Sequence, residues 1–248
     1  MNDKVEVVAY GNFACFTMTE TKIDRVSYPV PTPSACRGIL CAIYYKPSEF
    51  WYEIVSIDVL KPIRYISIKK NEVKKKISVR GGKADPIDVN EQRTQRNTVY
   101  LSDVAYKITA RMVVRDTYLP DVPKQKKLNK VKSEFERRVK NGKCFWQPYL
   151  GTRECMCFFR EPEETDVPIN ESADFGITLY DIFDPGNNIP LNTDKKAKET
   201  CVPCPSYYRP AMKNGHIEVP DYRGSQVIRT GDLLQRGAQS QSYGNQEA

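Results

Sequence analysis

The sequence has a single histidine and no apolar run long enough to span a bilayer. Its first residues, MNDKVEVVAYGNF, alternate like a strand and lack the charged and apolar regions of a signal peptide. We therefore predict a cytoplasmic protein without membrane association. Walker loops, dinucleotide-binding glycine fingerprints and histidine-rich metal motifs are also missing, which argues against the common nucleotide-binding and metal-dependent enzymes.

The eight cysteines have irregular spacings, and a chain of 248 residues does not need disulfides to be stable, so we expect reduced thiols. Cys201 and Cys204 have the spacing of half a zinc site, and Cys155 with Cys157 would supply a poor second half. Two small buried residues on one face of a strand explain the latter pair equally well. We predict no bound metal and no cofactor.

Positive charge is concentrated in the middle of the chain. The formal net charge is +7, but residues 61–140 carry 22 Lys or Arg against 9 Asp or Glu, so the rest is negative. A polyanion is the natural partner of such a region, because each phosphate contact releases condensed counterions. A solvated, flexible loop is the alternative, whereas a membrane surface would need an apolar helix face that the basic runs lack. The candidate RNA-binding residues are Lys46, Lys69, Lys70, Lys74, Lys75, Lys76, Arg93, Arg96, Lys126 and Lys127.

Apolar periodicity predicts the order of the elements. Strands are expected over residues 4–10, 51–68 with an interruption at Pro62, 98–115 and 151–159. A first helix begins after Thr32, with Pro33 as its first residue, and ends near residue 46. A second is expected over residues 129–140, where Val131, Phe135 and Val139 form one buried stripe. Residues 69–97 resemble a mobile hairpin or loop.

This order, β-α-β followed by β-α-β, is typical of an α+β fold of the ferredoxin-like or RRM-like type. We assign residues 1–161 to such an RNA-binding domain, because an open antiparallel sheet presents a face or an edge to RNA. Residues 162–235 read as a small β-rich domain, and residues 236–248 have the composition of a disordered tail. A generic RRM module is disfavoured, since the closely spaced aromatic residues of the RRM signature are missing.

Several segments, in order along most of the chain, resemble the subtype I-C (Dvulg) branch of the CRISPR-associated Cas-five family, part of the RAMP superfamily. They are residues 11–17 (GNFACFT), 25–28 (RVSY), 32–35 (TPSA), 38–47 (GILCAIYYKP), 60–63 (LKPI), 93–96 (RTQR), 101–106 (LSDVAY), 135–138 (FERR), 149–155 (YLGTREC) and 212–217 (MKNGHI).

The resemblance implies an RRM-like N-terminal domain with a β-rich C-terminal extension. It also implies metal-independent endoribonuclease cleavage of the CRISPR precursor RNA within each repeat. The repeat-derived 5′ handle is then retained in the interference complex, so the implied partners are repeat RNA and the other subunits.

The family's catalytic tyrosine and lysine match Tyr44 and Lys130, but its catalytic histidine position holds Val131. Two interpretations follow: cleavage survives without that histidine, or the chain is a non-catalytic subunit that only binds the handle. His216 is a candidate replacement acid, although a partly exposed loop histidine is the simpler interpretation.

Overall fold

The computed structural model describes residues 3–21, 23–75, 77, 79–80, 83–84, 86–183 and 204–230. The predicted tail over residues 236–248 lies outside this part of the chain. The helices are α1 (Pro33–Ile43), α2 (Val89–Gln92) and α3 (Lys124–Lys140). The strands are β1 (Lys4–Ala14), β2 (Arg25–Val26), β3 (Phe50–Val59), β4 (Tyr65–Val73), β5 (Val79–Arg80), β6 (Lys83–Ala84), β7 (Arg93–Val114), β8 (Phe158–Arg160), β9 (Ala173–Asp174), β10 (Thr178–Asp181), β11 (Ser206–Tyr208), β12 (Ala211–Lys213), β13 (His216–Glu218) and β14 (Ile228–Arg229).

One large sheet forms the centre of the molecule, with strand order β8-β1-β7-β3-β13-β12-β9. The 22-residue β7 pairs antiparallel with β1 and β3, and its first part pairs with β4. The predicted interruption at Pro62 is confirmed, because β3 ends at Val59 and β4 begins at Tyr65. The predicted α+β class is confirmed as well.

Helix α1 forms as predicted. The Thr32 side chain caps its N-terminus by accepting a hydrogen bond from the Ala35 amide, and Pro33 occupies the first turn, where no amide hydrogen is needed. Cys36, Ile39 and Leu40 lie on its buried face and join the core beneath the sheet. The helix ends at Tyr44, so its C-terminus presents an aromatic residue beside the start of β3.

Helix α3 begins earlier than predicted, at Lys124 and not at residue 129. The additional turn buries Leu128, which continues the predicted stripe of Val131, Phe135 and Val139 on the core side. The lysine-rich sequence of this turn hid the stripe, because only one of its residues is apolar.

The predicted strand over residues 151–159 is wrong for most of its length, since β8 covers only Phe158–Arg160. The preceding residues form a tight loop in which Gly151 has a φ of +87°. The loop packs against β1, where the Cys15 amide donates to the Leu150 carbonyl at 2.9 Å. This contact, which apolar periodicity does not reveal, ends the extended conformation.

The C-terminal strands contribute to two sheets. Strand β13 pairs with β3 and with β12, which in turn pairs with β9, so these three strands extend the large sheet. Strands β10, β11 and β14 form a separate three-stranded sheet. The proposed domain boundary at residue 161 stays a prediction. No helix in the described part of the chain combines the length and apolarity needed to cross a membrane.

Candidate nucleic-acid interface and catalytic residues

A two-stranded arm carries much of the predicted RNA-binding region. We define the hairpin arm as β4 and residues 93–101 of β7, which pair from Tyr65 with Leu101 to Val73 with Arg93. Residues 69–97 were expected to be a hairpin or loop, and their hairpin pairing is confirmed. Lys74 and Lys75 follow β4 and are exposed, whereas Lys76 lies outside the described residues.

The two faces of the hairpin arm differ in how exposed their cations are. Lys69 and Arg93 are exposed on one face. Lys70 and Arg96 form a cross-strand pair on the other face, where both are partly buried. Lys69 and Arg93 therefore have the more accessible charges for phosphate.

The two cations on the second face form ion pairs with carboxylates. Lys70 Nζ contacts Glu154 Oε1 at 2.5 Å, and Arg96 Nε lies 3.4 Å from Glu72 Oε2. Tyr100 also donates to Glu154, at 3.0 Å. The hydrogen bond from Lys70 is the largest influence that lowers the pKa of Glu154. Arg96 also donates from Nη1 to the Ile23 carbonyl at 3.2 Å, so Lys70, through Glu154, and Arg96, through Ile23, hold the arm against the rest of the protein.

Helix α3 separates the predicted lysines. Lys126 and Lys130 are exposed and one turn apart, so they share a solvent-facing side. Lys127 is only 6% exposed because it lies on the buried side of the helix next to Leu128. Its prediction as an RNA contact is corrected, since a phosphate cannot approach it on this surface.

Val131 is 1% exposed and belongs to the hydrophobic core. The position that the resemblance matched to a catalytic histidine therefore points between the helix and the sheet. A side chain at this position cannot reach a bound RNA, so α3 supplies no proton-transfer group there.

Tyr44 lies at the junction of α1, β3 and α3. It is 5% exposed, its ring centroid is 5.1 Å from that of Phe50, and the Arg138 guanidinium lies 5.2 Å above the ring. Burial is the largest cause of its raised pKa, and the neighbouring Lys46 partly offsets it. Tyr44 consequently keeps its proton at neutral pH and can donate a hydrogen bond, but it is a poor base.

The cation that α3 brings to Tyr44 is Arg138 and not Lys130. These residues are eight positions apart, or about 12 Å along a helix axis. Glu134 holds Arg138 by accepting its Nε–H at 2.9 Å, and Lys46 Nζ contacts Glu49 at 2.8 Å. Arg138 was not among the residues predicted from the sequence, although its four-residue spacing from Glu134 is typical of a helical ion pair.

His216 is not a loop residue, because it begins β13 directly after the Asn214–Gly215 turn. Its side chain is 52% exposed, and Nδ1 lies 2.5 Å from Oδ1 of the buried Asp58. This ordered carboxylate–imidazole pair was not visible in the sequence, since its two members are 158 positions apart.

The described residues contain no group of three His, Cys, Asp or Glu placed to hold a metal ion. Cys155 and Cys157 are buried, and burial raises the pKa of the Cys157 thiol to about 12. Cys201, a member of the possible zinc pair, lies outside the described residues. Cys155 and Cys157 therefore behave as small core residues.

Comparisons with known proteins agree with the resemblance. The family model described as CRISPR-associated protein (Cas_Cas5) matches residues 5–220. A protein of Thermus thermophilus named CRISPR pre-crRNA endoribonuclease Cas5d is 34% identical over 95% of this chain and 99% of its own length. One of the same name from Mannheimia succiniciproducens is 37% identical over 92% of this chain and 100% of its own length.

Two solved structures share the fold. A crystal structure of a CRISPR-associated protein has a TM-score of 0.59 and 26% identity, covering 91% of this chain and 96% of the other. A functionally uncharacterised protein of Streptococcus mutans has a TM-score of 0.57 and 23% identity with the same coverage, which supports the fold alone. With a family match over most of its length and relatives above 30% identity, this chain belongs to the subtype I-C, or Cas5d, branch of the CRISPR-associated Cas5 family.

Proposed function

We propose that this protein cleaves CRISPR precursor RNA within its repeats, without a metal ion, and then retains the 5′ handle as a subunit of the subtype I-C interference complex in the cytoplasm. The observation that carries the proposal is the similarity of 34–37% identity, over nearly their whole length, to proteins named CRISPR pre-crRNA endoribonuclease. Precursor RNA and the other subunits of the complex are the implied partners.

Exposed cations supply the RNA-binding half of this function. Lys69 and Arg93 lie on the accessible face of the hairpin arm, and Lys126 and Lys130 lie on the solvent side of α3. Side chains of this kind bind the phosphate backbone and fix its position without reading the bases. Lys74 and Lys75 directly follow β4 and are exposed as well.

The Tyr44 cluster, which we define as Tyr44, Lys46, Glu134 and Arg138, is suited to binding a phosphate. Tyr44 itself is only 5% exposed, so the positive charge that a phosphate can approach comes from the exposed Lys46 and from Arg138 above the Tyr44 ring. Cations of this kind bind a phosphate of the RNA backbone and fix its position. They do not by themselves accept the proton of the attacking 2′-hydroxyl at neutral pH.

The burial of Val131 favours a second candidate function. Without a histidine at the position that the resemblance implies, the chain would act as a non-catalytic subunit that binds the handle. This function needs the same exposed cations but no proton transfer.

The experiment that separates the two functions incubates the purified protein with its cognate repeat RNA in EDTA. We expect one cut per repeat, leaving a 2′,3′-cyclic phosphate and a 5′-hydroxyl, because the 2′-hydroxyl is the nucleophile. A repeat with a 2′-deoxy nucleotide at the cut site is the matched control and should bind without being cleaved. Binding of both RNAs with no product from either would leave only the handle-binding function.

A further inference from the structure

Four polar residues form a row across the large sheet. Strand pairing places Lys213 opposite His216, His216 opposite Asp58, and Asp58 opposite Lys107. Directly paired residues of antiparallel strands point to the same face of a sheet. The four side chains therefore project together, whereas the next residue of β13, Ile217, projects into the core and is fully buried.

Asp58 fixes the orientation of the His216 ring. One carboxylate oxygen contacts His216 Nδ1 at 2.5 Å, and the other accepts a hydrogen bond from Lys107 Nζ at 2.9 Å. A carboxylate has no proton to donate, so Nδ1 carries the hydrogen and Nε2 is the nitrogen that faces a ligand. Asp58 is 5% exposed and the His216 side chain 52%, so the ring is held at one end and open at the other.

The open end of the ring lines a cavity of about 630 Å³ above the β12–β13 hairpin. Lys213 and Arg209 bring positive charge to this cavity, although Arg209 also contacts Asp174 at 2.8 Å. Glu218 lines it too and lies two residues after His216, which puts both side chains on the same face, about 6.6 Å apart along the strand. One carboxylate, one imidazole and two cations thus surround a single space.

We propose that this cavity is the centre that cleaves the RNA, with Glu218 as general base and His216 as general acid. The proposal rests on the endoribonuclease function proposed above. Glu218 accepts the proton of the 2′-hydroxyl as its oxygen forms a bond to phosphorus, and protonated His216 gives its Nε2 proton to the departing 5′-oxygen as the P–O5′ bond breaks. The products are a 2′,3′-cyclic phosphate and a 5′-hydroxyl, and no metal, oxidant or water is consumed.

The neighbouring groups fit the charges of this reaction. Lys213, directly opposite His216, is placed to stabilise the negative charge on the phosphorane oxygens. Asp58 holds the His216 ring through its contact with Nδ1, so it acts as a positioning residue. His216 is the single histidine of the chain, and an imidazole ring has both a nitrogen that can donate a proton and one that can accept it.

The cavity is distinct from the Tyr44 cluster. The Tyr44 ring packs on Phe50 at the start of β3, and Asp58 lies eight residues further along the same strand. Eight residues of a strand span about 26 Å, so one phosphate cannot contact both places. The Tyr44 cluster then binds another part of the RNA, and the cut takes place at His216.

The first test measures single-turnover cleavage of cognate repeat RNA by the full chain in EDTA. We expect His216→Ala and Glu218→Gln each to slow cleavage by about 100-fold or more, which is the usual contribution of one acid or base group. RNA affinity and melting temperature should stay close to those of the wild type. Glu164→Gln, an exposed carboxylate outside the cavity, is the matched control and should cleave at the wild-type rate.

The second test replaces the bridging 5′-oxygen at the cut site by sulfur. A thiolate leaves without being protonated, so the cleavage rate of His216→Ala on this substrate should rise to within about tenfold of the wild-type rate. We allow for this remaining difference because the rescue of a contribution of about 10² or more need not be complete. Glu218→Gln should remain slow, because its proton transfer is still needed. A merely structural role of His216 would give no such rescue.

Two results would overturn the assignment while leaving the enzyme intact: wild-type cleavage of normal RNA by His216→Ala, or a sulfur substrate that rescues neither variant. An inactive wild-type protein is a different result. It would contradict the proposed endoribonuclease function, and the cleavage centre would be withdrawn with it.

Discussion

At the scale of single residues, burial decided which predicted site residues remain candidates. Lys126, Lys127 and Lys130 look alike in the sequence, but Lys127 faces the core while the other two face solvent. The distinction follows from where α3 begins, which a lysine-rich turn does not show. Tyr44 could be identified from its motif, whereas its contact with Arg138 depends on two helices meeting in space.

Gly151 is the residue whose replacement should be least tolerated. Its φ is +87°, and an added Cβ would lie 2.0 Å from the Cys15 carbonyl oxygen. We expect Gly151→Ala to lower the free energy of unfolding by about 3 kcal/mol or more, since backbone strain of this kind amounts to about 1–3 kcal/mol before any clash. Gly38→Ala is the control, because Gly38 is helical with nothing within 4 Å. It should stabilise the protein by about 0.5–1 kcal/mol in urea titrations. Equal stability of the two variants would contradict the loop geometry.

At the scale of elements, α3 contains a pH-sensitive ion-pair cluster. Hydrogen bonding from Arg137 is the largest influence that lowers the pKa of Glu134 from 4.5 to about 2, and Arg138 adds to it. A lowered pKa in the folded state gives stability that is complete above pH 4.5 and is lost as the pH falls towards 2.

We therefore expect Glu134→Gln to be less stable than the wild type at pH 7 by about 1 kcal/mol or less, given that the pair is near the surface. The difference should vanish near pH 2. Thermal unfolding of both proteins between pH 2 and 7 measures it, and a difference that does not change with pH would contradict the ion-pair explanation.

The two faces of the hairpin arm should contribute differently to RNA binding. Removing both exposed cations, by Lys69→Ala with Arg93→Ala, should weaken binding of the handle RNA. It should also reduce the slope of log K against log salt by about 1.4, or about 0.7 for each phosphate contact on a single strand. Fluorescence anisotropy between 50 and 300 mM salt, a range over which phosphate contacts change affinity strongly, measures the slope.

The matched double variant is Lys70→Ala with Arg96→Ala, which removes the same charge from the face that contacts Glu154 and Glu72. Its slope should change less, and its arm amides should exchange hydrogen faster because the arm loses its attachment. Equal slopes of log K against log salt for the two double variants would contradict this prediction, because they would show that the salt dependence follows the net charge and not the face that carries it.

At the scale of the whole molecule, the sequence predicted what depends on local pattern. The α+β class, helix α1 and the long strands follow from short-range periodicity. The tight loop at Gly151 and the row from Lys213 to Lys107 do not, because they depend on contacts between distant parts of the chain. The family resemblance located Tyr44 but gave no indication of the cavity at His216.

The pairing of β13 with β3 also has a consequence for biosynthesis. Residues 216–218 are translated about 8–30 s after Val59, at usual rates of 5–20 residues per second. One edge of β3 therefore remains without its pairing partner, β13, for that time. An unpaired strand edge invites association with other nascent chains. Ribosome-bound chains that stop before β13 should therefore recruit chaperones, and those that extend well past Glu218 should release them.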